Sequence, residues 1–331
     1  MKPLWTALMR SLDSSKSVCS RIGSPSLIFF LGAILIARGT FTPTTGAQKH
    51  NAASSPAVST RSLVVQTEPN AIVWIDDIRR GVTDASGKLE LKKISAGRHT
   101  LRVRASGFKE AGTPLFPGKR MTVKLVRTTD PAELLFQQAE EAREKAKDDE
   151  SRQRAAELYR QTVKLRSAFP AAHVGLARVL LDLNQYQEAL AEIDAARRTR
   201  PAYPEASAVE GRIQREAAFT EDAIQAFRRA IREARGFQPE AHVGLARVFE
   251  EKGQYPEAIA EYRKAIDQLS DSEPVIYQLL GAAYEKQQKY KEAVAAYEKY
   301  LALAPTGSLA PAIRSIIDQL RREAEGQEII P

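Results

Sequence analysis

The side chains that most often perform nucleophilic or metal chemistry are sparse in this chain. It has one cysteine, Cys19, and four histidines, His50, His99, His173 and His242. A zinc site needs ligands at short, characteristic spacings, and a nucleophile needs a base and an oxyanion-stabilising group beside it. None of the histidines has such a spacing, and no phosphate-binding loop or nucleophile elbow occurs. The sequence therefore predicts a protein that is not an enzyme and has no metal, cofactor or small-molecule substrate.

The many arginine and lysine side chains of this sequence could bind anions. Residues 61–127 carry 14 Lys or Arg against 6 Asp or Glu, whereas the whole chain carries 49 against 41. This excess could bind an anionic membrane surface or a cell-wall polymer, or it could be a solvated strand face. We predict that five of these residues face the cell envelope: Arg79, Arg80, Arg102, Arg104 and Lys124. Nucleic acid is not an expected partner, because no ladder of aromatic residues interleaves with the charges.

An apolar run near the N-terminus predicts export. Basic residues precede Leu27–Ala37, LIFFLGAILIA, which as a helix would cover about 16 Å, roughly half of a hydrocarbon core. Such a run is typical of a secretory leader that ends at small residues. The alternatives are an uncleaved membrane anchor and a buried core helix.

These features divide the N-terminal part of the chain. We predict a leader or signal anchor over residues 1–47 and a flexible linker over residues 48–60, QKHNAASSPAVST, which is small and polar. The expected location is periplasmic or otherwise extracytoplasmic, with residues 27–37 in the inner membrane if the leader is not cleaved.

The basic segment 61–127 has the pattern of short strands. SLVVQT, AIVWID, LELKKI, HTLRVRA and MTVKLVR are rich in β-branched residues, and EPN, DASGK, SAG and the loop GTPLFPGK separate them. This predicts a small antiparallel β domain. About 67 residues make a marginal core, so we expect the domain to dock onto its neighbour.

Two stretches of this segment, TEPNAIVWIDDIRRGVTD and ISAGRHTLRVRASGFKE, resemble the PEGA domain. That family is a small β-sandwich module of bacterial and archaeal envelope proteins. The matching positions are Pro69, Ala71, Val73, Ile75, Gly81, Thr83, Gly97, His99, Gly107 and Phe108. Asp77 and Asp84 depart from the glycine and proline that are usual there. The resemblance implies attachment at the cell surface and no chemistry.

The C-terminal part of the chain is internally repeated. AHVGLARV occurs at Ala172–Val179 and again at Ala241–Val248, 69 positions later. Prolines recur at Pro170, Pro204, Pro239 and Pro274, with spacings of 34, 35 and 35. A period near 34 with apolar residues three and four apart predicts one pair of helices in each repeat.

This array resembles the tetratricopeptide repeat over about 131–305. The family order of Trp, Leu, Gly, Tyr, Ala, Phe, Ala and Pro is matched in the last repeat by Tyr277, Leu280, Gly281, Tyr284, Ala293, Tyr297, Tyr300 and Pro305. We predict an array over residues 130–326 that begins at Asp130 as helix N-cap and ends in a capping helix. The expected fold class is α+β multidomain, a small antiparallel β-sandwich followed by an α-solenoid of helix-pair repeats.

The resemblance implies a concave groove lined by the first helix of each repeat. The residues that line it lie at fixed positions of each repeat. In the repeats that begin at Pro170, Pro204 and Pro239, the ninth position holds Arg178, Arg212 and Arg247, and the fifth position holds Val174, Ala208 and Val243. We therefore predict a protein partner, specifically an acidic or C-terminal peptide segment, on a basic ladder over an apolar floor. Asp182 and Glu250 are also predicted groove residues. With Glu240 and Glu251, they could alternatively neutralise the arginines within the protein.

Two function hypotheses follow from these features. The first is a non-enzymatic envelope scaffold or adaptor, in which the β domain positions the protein and the helical groove binds a partner. The alternative is an envelope polymer-binding protein that acts through the basic β domain.

Overall fold

The computed structural model describes residues 61–76, 78–94, 99–115, 118, 120–269 and 273–328 of the 331-residue chain. The predicted leader, 1–47, and linker, 48–60, lie outside these ranges. Among the helices of the described residues, none is both long and apolar enough to cross a membrane.

The described part of the basic segment forms two β-sheets. Its strands are Arg61–Gln66 (β1), Ile72–Ile75 (β2), Ile78–Val82 (β3), Lys88–Ile94 (β4), His99–Arg104 (β5), Ala111–Leu115 (β6) and Arg120–Thr122 (β7). One sheet has the order β4-β1-β7 and the other has the order β3-β2-β5-β6. All pairings are antiparallel except that of β1 with β7, which is parallel.

Apolar side chains at every second position of the strands form the core between the two sheets. Val73 and Ile75 of β2 and Leu101 and Val103 of β5 are at most 4% exposed, and Leu63 and Val65 of β1 pack in the same cluster. The intervening residues of β2 and β5 point to the other face of their sheet, away from this core.

Two strands were not predicted from the sequence. Ile78–Val82 has no apolar alternation, and most of Ala111–Leu115 falls in the predicted loop GTPLFPGK. Both lie at the edges of the four-stranded sheet. An edge strand needs hydrogen-bond partners on one side only, so proline is tolerated there.

One turn of the β domain depends on a glycine. Gly87 has φ +74°, and a Cβ there would overlap the carbonyl oxygen of Thr67. Gly107 has a similar φ of +78°, but a Cβ there would meet nothing within 4 Å. We expect Gly87→Ala to lower the free energy of unfolding by about 2–4 kcal/mol and Gly107→Ala by about 1 kcal/mol. Urea denaturation of both variants checks this, and equal losses would contradict the steric explanation.

Within the described residues, the rest of the chain consists of eleven helices. They are Pro131–Lys145 (α1), Asp149–Leu165 (α2), Pro170–Asp182 (α3), Tyr186–Thr199 (α4), Pro204–Glu216 (α5), Thr220–Glu233 (α6), Pro239–Glu251 (α7), Tyr255–Leu269 (α8), Pro274–Lys286 (α9), Tyr290–Leu303 (α10) and Ala310–Glu328 (α11). Successive helices pack against each other in antiparallel pairs, and the first helices of the first four pairs, α1, α3, α5 and α7, also touch their neighbours. The predicted fold class is confirmed.

The repeating prolines mark the beginnings of the first helices. Pro131, Pro170, Pro204, Pro239 and Pro274 each occupy the first turn, where a missing N–H costs nothing. Before Pro131, the Asp130 carboxylate accepts a hydrogen bond from the N–H of Ala132 at 2.9 Å, as a helix N-cap does. The last helix, α11, buries Ile313, Ile317 and Leu320.

Small residues allow the helices to approach closely. The ring of Phe227 in α6 is fully buried between α5 and α7. A Cβ at Gly211 of α5 would lie 2.7 Å from this ring, and one at Gly244 of α7 would overlap it. The glycines therefore make the space that the aromatic side chain fills.

Candidate partner-binding groove

We call the surface formed by the first helices α1, α3, α5, α7 and α9 the groove. Phe136, Glu140 and Glu144 are four residues apart on α1 and therefore share one of its faces. Glu140 is close enough to Arg178 of α3 to affect its pKa, so this face borders the predicted arginines.

Within the described residues, the arginines at the ninth place are paired with carboxylates. Arg178 donates a hydrogen bond to Glu205 at 2.7 Å and lies 3.7 Å from Glu240. Arg212 lies 3.7 Å from the other oxygen of Glu240, so this carboxylate bridges two repeats. Arg247 lies 3.9 Å from Glu250. The arginine side chains are 14–17% exposed, so the ladder is a partly buried ion-pair network.

The predicted apolar floor is packed within the protein. Val174 is 1% exposed, and Ala208 and Val243 are fully buried. A partner could touch these side chains only after a rearrangement. Asp182, at the C-terminal end of α3, is partly exposed.

Glu250 is held by the second helix of its own repeat as well as by Arg247. It accepts a hydrogen bond from the Tyr262 hydroxyl at 2.7 Å. Burial raises its pKa, while the bond from Tyr262 and the charge of Arg247 oppose that effect. Its carboxylate is therefore part of the internal packing of the fourth repeat.

The β domain presents an aromatic and basic face to the array. Trp74 pairs with Arg102 across β2 and β5, and Arg104 follows two residues later on the same face. The guanidinium carbons of Arg102 and Arg104 lie 4.4 and 5.1 Å from the centre of the Trp74 ring. We call Trp74, Arg79, Arg102 and Arg104 the docking face.

Arg104 of the docking face contacts α1, the first helix of the first repeat. It is 6% exposed, its guanidinium carbon lies 4.5 Å from the Phe136 ring centre, and one of its nitrogens lies 3.4 Å from Glu140. Glu140 also lies 3.2 Å from Arg143 and accepts a hydrogen bond from Tyr159. Burial alone would raise the pKa of Glu140, but Arg143 and Arg104 outweigh it and bring this pKa to about 2.

Further polar contacts join the β domain to the first helix. The side-chain amide of Gln137 accepts from the N–H of Gly107 and donates to the carbonyl of Phe108, both at 2.8 Å. Arg79 donates to Glu144 at 2.7 Å. These contacts confirm that the β domain docks onto its neighbour.

The docking extends along later repeats. The charge of Arg102 acts on Glu205 of α5, where burial favours the protonated form and Arg178 and Arg102 lower the pKa. The rings of His99 and Phe237, the latter just before α7, meet edge-on with centres 6.2 Å apart. Arg80 is close enough to Glu273, just before α9, to affect its pKa.

The structure thus places four of the five predicted envelope-facing residues beside the array. Arg79, Arg80, Arg102 and Arg104 meet acidic side chains of the helices. Lys124 differs from them, because it is exposed.

The partly buried glutamate before α9 makes stability depend on pH. Burial raises the pKa of Glu273 from 4.5 to about 7, and the charge of Arg80 offsets only part of this rise. Between these values the folded state binds more protons than the unfolded state, so the contribution of Glu273 to stability is lost as pH rises from 4.5 to 7. We expect Glu273→Gln to remove this loss in urea titrations across that range. Glu292→Gln, at an exposed site, is the control, and an unchanged pH slope in Glu273→Gln would contradict the assignment.

The histidines of the array are packing residues. His173 Nδ1 lies 2.6 Å from Glu192 and its Nε2 lies 2.9 Å from the carbonyl of Ser167. Burial opposes protonation of His173, but these two hydrogen bonds raise its pKa. His242 makes the equivalent contact with Glu261 at 2.6 Å. Across the described ranges, no cluster of three or more His, Cys, Asp or Glu is placed to hold a metal ion.

Sequence reasoning missed the residues that join the two parts. Gln137, Glu140, Glu144 and Trp74 were not identified as site residues. One signal was present: in HTLRVRA the arginines alternate with Leu101 and Val103, which places both arginines on the face opposite the core.

The comparisons with known proteins concern the helices. Residues 237–306 and 146–213 each match a model described as tetratricopeptide repeat. No curated protein matches the chain.

Solved structures are similar to this chain at low sequence identity. A Pseudomonas aeruginosa PilF structure is 15% identical with a TM-score of 0.50, and the match covers 60% of this chain and 86% of that one. A thermophilic tetratricopeptide protein of Thermus thermophilus is 20% identical with a TM-score of 0.47, covering 57% and 98%. A MamA structure is 22% identical with a TM-score of 0.42, covering 50% and 94%. The segments 146–213 and 237–306 of this chain are thus similar to tetratricopeptide repeats.

Proposed function

We propose that this protein is a non-enzymatic adaptor that binds a protein or peptide in the groove. The observation that carries the proposal is the tandem array itself, in which the first helices α1, α3, α5 and α7 touch one after the other. Such a surface is long enough to bind an extended segment of a partner, and tetratricopeptide repeats support this class of function.

The arginines of the groove bear on the charge of the partner. An acidic segment would bind Arg212 and Arg247, and it would have to compete with Glu240 and Glu250 for them. The ninth-place arginines therefore favour an acidic ligand less strongly than their sequence spacing alone suggests.

We further propose that the protein acts at the cell envelope. The support is the apolar run of the predicted leader and the resemblance of the β domain to the PEGA family. Export would place the chain in an extracytoplasmic compartment, with the β domain positioning the array. N-terminal sequencing of the protein purified from cells checks the expected cleavage after Ala47, and a chain that keeps its first residues in the soluble cell interior would contradict export.

The groove is tested with a phage-displayed library of random 12-residue peptides, selected against the full chain. We expect enriched peptides whose binding is lost in Arg212→Ala/Arg247→Ala. The matched control is Arg228→Ala/Arg232→Ala, which removes two exposed arginines of α6. Circular dichroism establishes that both variants are folded. Equal peptide binding by both variants would reject the proposed groove site.

A second candidate function rests on the basic side chains that the docking leaves exposed. Lys88, Lys109, Arg120 and Lys124 of the β domain are exposed, and together they could bind an anionic lipid surface or cell-wall polymer. Co-sedimentation of the full chain with phosphatidylglycerol vesicles and with purified peptidoglycan tests this candidate. Loss of sedimentation in Lys109→Glu/Lys124→Glu would support it, and unchanged sedimentation would reject it.

A further inference from the structure

We propose that the β domain is a reversible internal cover of the groove, and that the external partner which replaces it presents arginine and aromatic side chains. The inference rests on the proposed function, because a cover matters only if the groove binds a partner. It adds to that function the chemistry of the partner and a means of regulation.

The covered positions lie on one face of the first helix. Phe136, Glu140 and Glu144 share this face, and Glu140 is close enough to Arg178 of the predicted ladder to affect its pKa. Arg104 contacts Phe136 and Glu140, and Arg79 contacts Glu144. The β domain therefore covers the face of the first helix that borders the arginine ladder.

The cover continues beyond the first repeat. Glu205, at the second place of the third repeat, interacts with Arg102, and Phe237 and Glu273 precede α7 and α9. Glu205 also binds Arg178 of the predicted ladder. Positive and negative side chains therefore alternate along the groove. Arg102 of the docking face acts on Glu205, Glu205 pairs with Arg178, and Glu240 lies between Arg178 and Arg212.

The covered side chains define the ligand chemistry. The groove side chains that meet the docking face are Glu140, Glu144 and Glu205, together with the aromatic ring of Phe136. On the docking face, Arg79, Arg102, Arg104 and Trp74 lie opposite these side chains. Arg102 and Arg104 are two residues apart on β5. A segment that displaces the β domain must supply cations in place of its arginines, since Glu140 and Glu205 are partly buried and would each lose one of their cationic neighbours. The part of the groove that the β domain covers thus selects basic and aromatic partners over acidic ones.

The composition of the interface allows it to open. The contacts are mainly ion pairs, side-chain hydrogen bonds and cation–π contacts, a composition typical of interfaces that open. Only residues 128–130 separate Arg127 from the first helical residue, so a released β domain stays near the groove and can rebind. Partner binding and internal docking then compete at a high effective concentration.

The test uses the full chain with Trp5→Phe, which leaves Trp74 of the docking face as its only tryptophan. Trp74 is 7% exposed in the docked state. The release variant is Gln137→Ala/Glu144→Arg, which removes two hydrogen bonds and one ion pair of the interface. The rescue variant adds Arg79→Glu to restore the ion pair with reversed charges. Glu141→Arg makes the same charge change at an exposed position of the same helix and serves as the matched control.

The first readout is quenching of Trp74 fluorescence by acrylamide. We expect quenching to increase several-fold in the release variant, to fall back in the rescue variant and to stay unchanged in Glu141→Arg. The protein without interface substitutions provides an independent check: quenching should rise with sodium chloride, because salt screens the ion pairs. If neither the release variant nor salt changes quenching, the cover is overturned.

The second readout is peptide binding, with the random 12-residue library selected against the release variant. We expect enrichment of peptides that combine arginine with tryptophan or tyrosine, and about tenfold weaker binding of them to the docked form. Enrichment of acidic peptides would overturn the partner class. Equal affinity for both forms would overturn the cover and leave the proposed function intact, whereas no enrichment on either form would overturn both.

Discussion

Replacing Glu140 by alanine is expected to lower the free energy of unfolding by about 3–5 kcal/mol. Arg143 and Arg104, which are 13% and 7% exposed, share this carboxylate, and Tyr159 donates a hydrogen bond to it. Its removal leaves two guanidinium groups in a partly buried site without their common partner. Urea denaturation followed by circular dichroism measures the loss.

The pH dependence gives this prediction a second signature. The pKa of Glu140 is lowered from 4.5 to about 2, so its contribution is complete above pH 4.5 and is lost as pH falls toward 2. We expect Glu140→Ala to have a shallower acid limb than the parent chain. Glu141→Ala, where the side chain is 65% exposed, should change stability by less than about 0.5 kcal/mol. Similar losses in the two variants would show that Glu140 does not hold the network together.

Replacing Phe227 by alanine is expected to lower the free energy of unfolding by about 3–5 kcal/mol. The Phe227 side chain is fully buried and packs against Ala208, Leu245 and Val248. Gly211 and Gly244 on the flanking helices hold no side chain that could expand into the space left behind. We therefore expect a cavity between the third and fourth repeats, and urea denaturation measures its cost.

The same repeat offers a matched control. Phe219, just before α6, is 50% exposed. Phe219→Ala should change the free energy of unfolding by less than about 1 kcal/mol, because it deletes an aromatic ring without creating a cavity. A loss in Phe219→Ala as large as that in Phe227→Ala would contradict the packing argument.

Much of the fold could be predicted because its signals are local. Each first helix begins at a proline of the repeating series, and Asp130 caps the first of them. The three central strands of the β domain have alternating or β-branched patterns. By contrast, Ile78–Val82 and Ala111–Leu115 form strands at sheet edges, where the pairing partner and not the local pattern decides the conformation.

The environment of the groove could be predicted only in part, because it depends on contacts distant in sequence. The spacing of Arg178, Arg212 and Arg247 correctly places them in equivalent positions of successive first helices. It does not reveal that Glu205 and Glu240 pair with them. Nor does it reveal that strand β5 presents Arg102 and Arg104 to the helices, since that requires the docked arrangement of both parts.

The parallel pairing of β1 with β7 has a mechanical consequence. Val64, Val65 and Gln66 lie beside Arg120, Met121 and Thr122, so the first and last strands of the β domain are neighbours that run the same way. Tension applied between residue 61 and the helical array would pull these strands in opposite directions along their length. Their hydrogen bonds would then be sheared together and not unzipped one after another, which makes the β domain suited to resist stretching along the chain.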